Sequence, residues 1–227
     1  MSDPIIFPPL PGRAGTLARL VLAAALTLPL AACSVLSRTA EDTTALYAPD
    51  PRVPPDPTWP DVQFQLTVAS PSSARMIDSL RIAVRPSPNE LQVYKGASWA
   101  KRPSEMVEDA LLRALEDSGK IPAVARQGSG VSADYKLVMD LRRFESVYLQ
   151  AGSPPTATVE VNAKLLHARD QQVIATRTFT QTRPAASTEV PQVVAAFEQA
   201  LGTLTRDLSG WILTTGHAHE QQAHATP

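Results

Sequence analysis

A long helical period near the C-terminus constrains the fold more than any other feature of the sequence. Apolar residues recur there at helical spacing over about five turns: Val190, Val193, Val194, Phe197, Leu201, Leu204 and Leu208. Ser187 or Thr188 is a suitable N-cap, and Trp211 after Gly210 is the predicted end. An apolar stripe this long must be buried against another layer of structure.

The segments before this helix supply that layer, because apolar and polar residues alternate along them. Alternation is typical of half-buried strands, and the predicted strands are 62–68, 80–85, 91–94, 121–125, 135–141, 159–165 and 173–179. Phe144 is out of phase with its strand, which indicates a β-bulge near Arg142 and Arg143. A second helix should begin near Pro103 and end at Ser118 and Gly119. The predicted fold class is therefore α/β, with helices packed on a mixed sheet.

The N-terminus carries an uncharged run, 20–32, that follows two arginines and precedes Cys33. A membrane-spanning helix needs about 20 apolar residues, so this shorter run indicates an export signal. The residues Leu30, Ala31, Ala32 and Cys33 resemble the lipobox of bacterial lipoproteins. The resemblance implies cleavage before Cys33 and a diacylglycerol and N-acyl (palmitate) lipid on that residue. The alternative is an ordinary signal peptide with a chance cysteine.

Four regions follow from these signals. Residues 1–32 form the signal peptide, 33–60 the lipidated cysteine and a Pro-rich tether, 61–214 the folded domain, and 215–227 a disordered tail that contains histidines. Prolines favour extended polyproline II structure, so the tether should hold the domain off the membrane. A merely disordered leader is the alternative reading of this segment.

Candidate catalytic groups are sparse. The sequence contains no G-x-S-x-G elbow, phosphate-binding loop or H-E-x-x-H motif. His167 is the one histidine inside the predicted domain, and a lone histidine is most often structural. The formal net charge of −1 gives no field that favours nucleic acid. We therefore predict no enzyme, no metal site and no nucleic-acid partner.

Several segments together resemble the ABC-type transport auxiliary lipoproteins, the family that includes paraquat-inducible protein C. They are 80–85, 91–100, 111–115, 134–145, 195–201 and 210–211. The likeness runs over about 62–213. It implies a three-layer α/β/α fold with a mixed sheet, similar to an anticodon-binding domain.

The resemblance also implies a function. Members of the family accompany a permease, an ATPase and an MCE (mammalian cell entry) protein that move lipids between the inner and outer membranes. This chain would then be an auxiliary component that docks the MCE protein, facing the periplasm from the outer membrane. Ser34 after the lipobox resembles the sorting position of Gram-negative lipoproteins sent to that membrane, and the ring-forming members of the family imply self-association in a homo-oligomeric ring. The alternative is a periplasmic lipid-binding receptor or shuttle with an apolar cavity.

Four residues are candidates for the partner interface: Tyr94, Trp99, Arg142 and Arg143. The two aromatic residues flank a short loop, where aromatic side chains often anchor interfaces; the alternative is that both rings cap the core and fix the start of the helix. The two arginines could meet an acidic partner or lipid headgroups, or they could simply face solvent at the bulge.

Overall fold

The computed structural model describes residues 44–150 and 152–225. Leu30, Ala31, Ala32 and Cys33 lie outside the described residues, and so do 33–43 of the predicted tether. The described part forms one compact unit. It contains nine strands and two helices: β1 (Ala45–Tyr47), β2 (Gln65–Val68), β3 (Ser72–Ser73), β4 (Arg81–Ser87), β5 (Glu90–Trp99), α1 (Pro103–Ser118), β6 (Ala123–Arg126), β7 (Tyr135–Val147), β8 (Thr156–His167), β9 (Val173–Pro184) and α2 (Val190–Ala225).

The sheet is organised around β7, the longest strand. On one side β7 pairs antiparallel with β8, which pairs antiparallel with β9. On the other side it pairs in parallel with β2, β3 and β4 in turn along its length. β6 then pairs in parallel with β2, β5 pairs antiparallel with β4, and β1 adds in parallel to β5. The predicted mixed sheet with flanking helices is thus confirmed.

Both helices lie on the same side of the sheet, because α1 and α2 pack against each other and α2 also packs on β8 and β9. In the described part of the chain the helices and the sheet therefore form two layers, and the third layer that the resemblance implied is not among them. The core between the layers is apolar. Its centre contains Trp99, Phe144 and Phe197, all at most 1% exposed.

Helix α1 begins and ends where the sequence predicted. Pro103 occupies the first turn, where its missing amide costs no hydrogen bond. Gly119 follows the last turn with φ 63°, the left-handed conformation that glycine adopts without strain. Leu111 and Leu115 from the predicted apolar stripe are fully buried.

Helix α2 is longer than predicted. The expected end at Gly210 and Trp211 is wrong, since α2 continues to Ala225. The predicted disordered tail 215–227 is accordingly helical through residue 225. Glycine is tolerated within this helix because a neighbouring aromatic ring occupies the place of a side chain: a Cβ on Gly210 would lie 2.7 Å from Trp59 Nε1.

The Pro-rich segment also differs from the prediction. Residues 44–60 lie on the domain instead of forming a free tether. β1 joins the sheet, Trp59 is buried, and Pro51 packs close to Gly202 of α2. An ion pair between Asp50 and Arg113 of α1 adds to this contact. Proline favours an extended backbone, but that backbone can lie along a helix as readily as in solvent.

Candidate functional site

The sheet presents a second face to solvent, on the side away from both helices. Alternation along the strands separates the two faces, as buried Leu137 and Met139 alternate with partly exposed Lys136, Val138 and Asp140 on β7. On β9 four successive outward positions are exposed threonines: Thr176, Thr178, Thr180 and Thr182. We call this surface of β7, β8 and β9 the open face. It is broad and polar, which suits contact with another macromolecule better than enclosure of a small substrate.

The predicted β-bulge lies on β7 at the edge of the open face. The register with β8 shifts between Leu141 and Arg143, which turns Phe144 back into the core and leaves Arg142 exposed. Arg142 contacts Asp140 at 3.2 Å and lies 3.9 Å from Glu160, and 45% of its side chain is exposed. Exposed pairs of this kind contribute little stability. Arg142 can therefore give up its contacts with Asp140 and Glu160 at little cost and form ion pairs with another surface.

Arg143 is held more firmly, by a carboxylate that the sequence analysis missed. Glu145 is only 1% exposed, and its oxygens accept hydrogen bonds from Arg85 at 3.0 and 2.8 Å and from Arg143 at 2.9 Å. Burial alone would raise the pKa of Glu145, but the hydrogen bonds from both arginines outweigh burial and hold that pKa below its ordinary value. The cluster therefore combines two positive charges, on Arg85 and Arg143, with the one negative charge of Glu145. No local signal could have revealed it, because Arg85 and Glu145 are far apart in sequence and meet only through the pairing of β4 with β7.

Tyr94 is half-buried and packs against the core. Its hydroxyl is 3.0 Å from Ser146 Oγ. The pKa of Tyr94 is raised mainly by burial, with a smaller contribution from Tyr148 nearby, so its hydroxyl stays protonated. This position at the margin of the core is compatible with either reading made from the sequence.

Trp99, by contrast, is a core residue. Its ring packs edge-on against Phe144 at 5.7 Å and Phe197 at 5.3 Å between centroids. At 1% exposure it has no surface to offer a partner, so its assignment as an interface residue is wrong in this fold. Trp99 is the last residue of β5 and faces the core. Although it is next to a loop, burial of so large an apolar ring is more favourable than its exposure there.

The C-terminal histidines are also positioned by the fold. The hydroxyl of Tyr135 lies 2.6 Å from both His219 Nδ1 and Glu220 Oε1, and the rings of His219 and His167 are 5.5 Å apart. These contacts join the last turns of α2 to the start of β7. They explain why a polar sequence without an apolar period is helical here.

The helices in the described residues include none long and apolar enough to cross a membrane. What the domain offers is a packed interior and a polar sheet face with an arginine-bearing bulge. These features define an α/β domain in which helices pack on one face of a mixed sheet.

A family model described as the ABC-type transport auxiliary lipoprotein component matches residues 45–209. The chain belongs to this family, which confirms the resemblance noted from the sequence. The match begins at the strand β1, which agrees with the inclusion of residues 44–60 in the domain.

Comparison with solved structures gives a consistent result. A crystal structure of a Xanthomonas campestris protein is 57% identical and superposes with a TM-score of 0.75, covering 78% of this chain and 99% of that one. A crystal structure of an uncharacterised protein, 13% identical, covers 74% of this chain and 97% of that one with a TM-score of 0.56, and shows a likeness of fold alone.

A curated relative from Bradyrhizobium diazoefficiens, itself uncharacterised, is 23% identical over 155 residues. The match covers 68% of this chain but only 41% of that relative, so the chain spans about two fifths of the relative's length.

Proposed function

We propose that the protein is a lipid-anchored, non-enzymatic component of an MCE-type ABC transport system that moves lipids between the inner and outer membranes. Acyl chains on Cys33 hold it at the outer membrane, on the periplasmic side. The domain then docks the MCE protein, which works with its permease and ATPase. Family membership supports the association with an ABC transport system. The outer membrane and the MCE partner are parts of the proposal.

The observation that carries the docking role is the open face with its bulge. No helix among the described residues covers this polar sheet surface, which offers rows of hydroxyls and charges for pairing with a partner. Arg142 provides an exposed cation at its edge. The doubly paired Glu145 fixes the neighbouring Arg143, so the surface is preorganised and does not have to be ordered on binding.

The interior favours docking over the alternative of a lipid shuttle. A shuttle needs an apolar cavity between sheet and helix. Between the sheet and the helices, the rings of Phe144 and Phe197 stack at 4.9 Å between centroids, and the ring of Trp99 packs edge-on against Phe197. Rings at these separations fill the place where an acyl chain would lie.

The anchor is tested by the substitution Cys33→Ala. We expect the altered precursor to incorporate no labelled palmitate and to leave the outer-membrane fraction. Ser37→Ala is a matched control that keeps both Cys33 and Ser34. Unchanged fractionation of the Cys33→Ala protein would refute the anchor.

Docking is tested by a photo-crosslinking amino acid placed at Arg142 in cells that contain the whole transport system. We expect a crosslink to the MCE protein. The control position is Gln192, which is exposed on α2, on the other side of the sheet. Crosslinks of equal yield from both positions, or from Gln192 alone, would contradict docking through the open face. Phospholipid that co-purifies within the domain would instead favour the shuttle.

A further inference from the structure

Three exposed apolar side chains lie close to the point where the chain enters the described domain. The region combines them with arginines, and we call it the entry patch: Leu46, Met76, Leu80, Arg75, Arg81 and Arg102. The apolar members are 70%, 52% and 49% exposed, respectively. Large apolar residues grouped on a surface mark sites of contact with proteins or membranes.

The pairing of strands brings these residues together. Leu46 of β1 and Arg81 of β4 are both register partners of Ser98, from opposite sides of β5. Leu80, Arg75 and Arg102 line one shallow surface depression, together with Ser73, Asp78 and Ser79. Met76 is next to Arg75 in the turn between β3 and β4.

The arginines of the entry patch are available to a ligand. Arg75, Arg81 and Arg102 are exposed and form no ion pair with any other described residue. The depression also contains the carboxylate of Asp78, whose Oδ1 accepts a hydrogen bond from the backbone amide of Ser104, and its one negative charge offsets only part of the three positive charges. The patch is thus cationic as well as apolar.

We infer that the entry patch is a membrane-contacting surface that binds anionic phospholipid headgroups and inserts its apolar side chains at the interface. This rests on the proposed lipid anchor at Cys33. Thr44 follows Cys33 by eleven positions, a span of at most about 40 Å even when fully extended. The patch begins two residues later, at Leu46. The anchor therefore restricts the distance between the patch and the bilayer more than it restricts any other part of the domain.

The chemistry of the patch matches a bilayer surface better than a protein. Each arginine near an anionic membrane strengthens association about fivefold, so three acting together give about a hundredfold. The apolar side chains beside the arginines add to the binding free energy when they are buried at the boundary between headgroups and acyl chains. The anchor and the patch together would hold the domain in one orientation and leave the open face free for the partner.

The test uses the mature acylated protein, reconstituted in vesicles of phosphatidylethanolamine with phosphatidylglycerol. A thioether at Cys33 leaves the chain without a thiol, since it has one cysteine, so Leu80→Cys introduces a unique labelling site for an environment-sensitive fluorophore. Val173→Cys is the matched control, because Val173 is 53% exposed against 49% for Leu80 and lies at the start of β9, several strands away.

We expect the probe at position 80 to shift to shorter wavelength and to be quenched severalfold more by spin-labelled lipid than the probe at position 173. Replacement of Arg75, Arg81 and Arg102 by glutamine should remove most of that difference. Equal quenching at the two positions would overturn the inference while leaving the anchor intact. Protection of position 80 from aqueous iodide without quenching by lipid would also overturn it, and would indicate a protein contact instead. Failure of the acylated protein to float with the vesicles would refute the anchor and the patch together.

Discussion

The substitution Gly216→Ala tests whether the C-terminal tail is a packed helix, as in the structure, or disordered, as predicted from the sequence. Gly216 lies in α2 beyond the point where the helical period of the sequence ends. A Cβ at this position would lie 2.5 Å from Cζ of Phe64, far inside van der Waals contact. The ring of Phe64 is 3% exposed and packs edge-on against Tyr135 at 4.7 Å, so moving it aside would disrupt that contact.

The expected change in stability is the sum of two opposing effects. Alanine favours a helix over glycine by about 1 kcal/mol. Overpacking of a filled core costs about 1–3 kcal/mol, and a contact this short belongs at the upper end of that range. We therefore expect Gly216→Ala to lower the free energy of unfolding by about 1–2 kcal/mol, equivalent to a fall in Tm of about 3–6 °C for a domain of this size.

Urea unfolding followed by tryptophan fluorescence measures the effect, and a double-mutant cycle assigns its cause. In a Phe64→Ala background the obstructing ring is absent, so Gly216→Ala should become neutral or stabilising by up to about 1 kcal/mol. A neutral or stabilising effect in the wild-type background would show that α2 does not pack on Phe64. Equal destabilisation in both backgrounds would show that the ring is not the cause.

Two further substitutions probe the core and the buried ion pairs. Phe197→Ala removes a fully buried ring from the aromatic cluster and should cost about 3–5 kcal/mol, measured by thermal unfolding; a loss below about 1 kcal/mol would mean that the layer is loosely packed and has room for a ligand. Glu145→Gln should cost about 1–3 kcal/mol at pH 7, because Arg85 and Arg143 lose a charged hydrogen-bond partner while solvent partly screens their side chains, which are 27% and 37% exposed. Since the pKa of Glu145 is depressed in the folded protein, the wild-type carboxylate contributes stability above its ordinary value of 4.5 and loses that contribution as the pH falls through the lower folded pKa. The difference between wild type and Glu145→Gln should therefore narrow on acidification below about pH 4.5, and a constant difference would contradict the assignment.

The two proposals assign different tasks to two surfaces of the domain, docking to the open face and membrane contact to the entry patch. The open face is polar and preorganised, whereas the entry patch is apolar and cationic and lies beside the chain entry at Thr44. Arg142 belongs to the first surface and Arg81 to the second. Variants at these positions should therefore separate docking from membrane contact, and loss of both properties from either variant alone would argue against two distinct surfaces.

The sequence by itself determined the local elements. Alternation along 135–141, the phase shift at Phe144 and the glycine after Ser118 predicted a strand, a bulge and a helix end, and all three are present. These features depend on the spacing of apolar residues and on backbone conformations within a few residues, so neighbouring sequence is enough to specify them. The family resemblance was likewise visible in the order of short segments.

Tertiary structure decided what depends on residues distant in sequence. Trp99 became a core residue because Phe197 of α2 closes over it, and Glu145 acquired partners only when β4 paired with β7. Glycine ordinarily ends a helix, yet α2 continues through Gly210 because the ring of Trp59 fills the space a side chain would take. In each case the deciding contact lies tens of residues away along the chain, and local propensity of about 1 kcal/mol per residue is outweighed by the burial of a whole aromatic side chain.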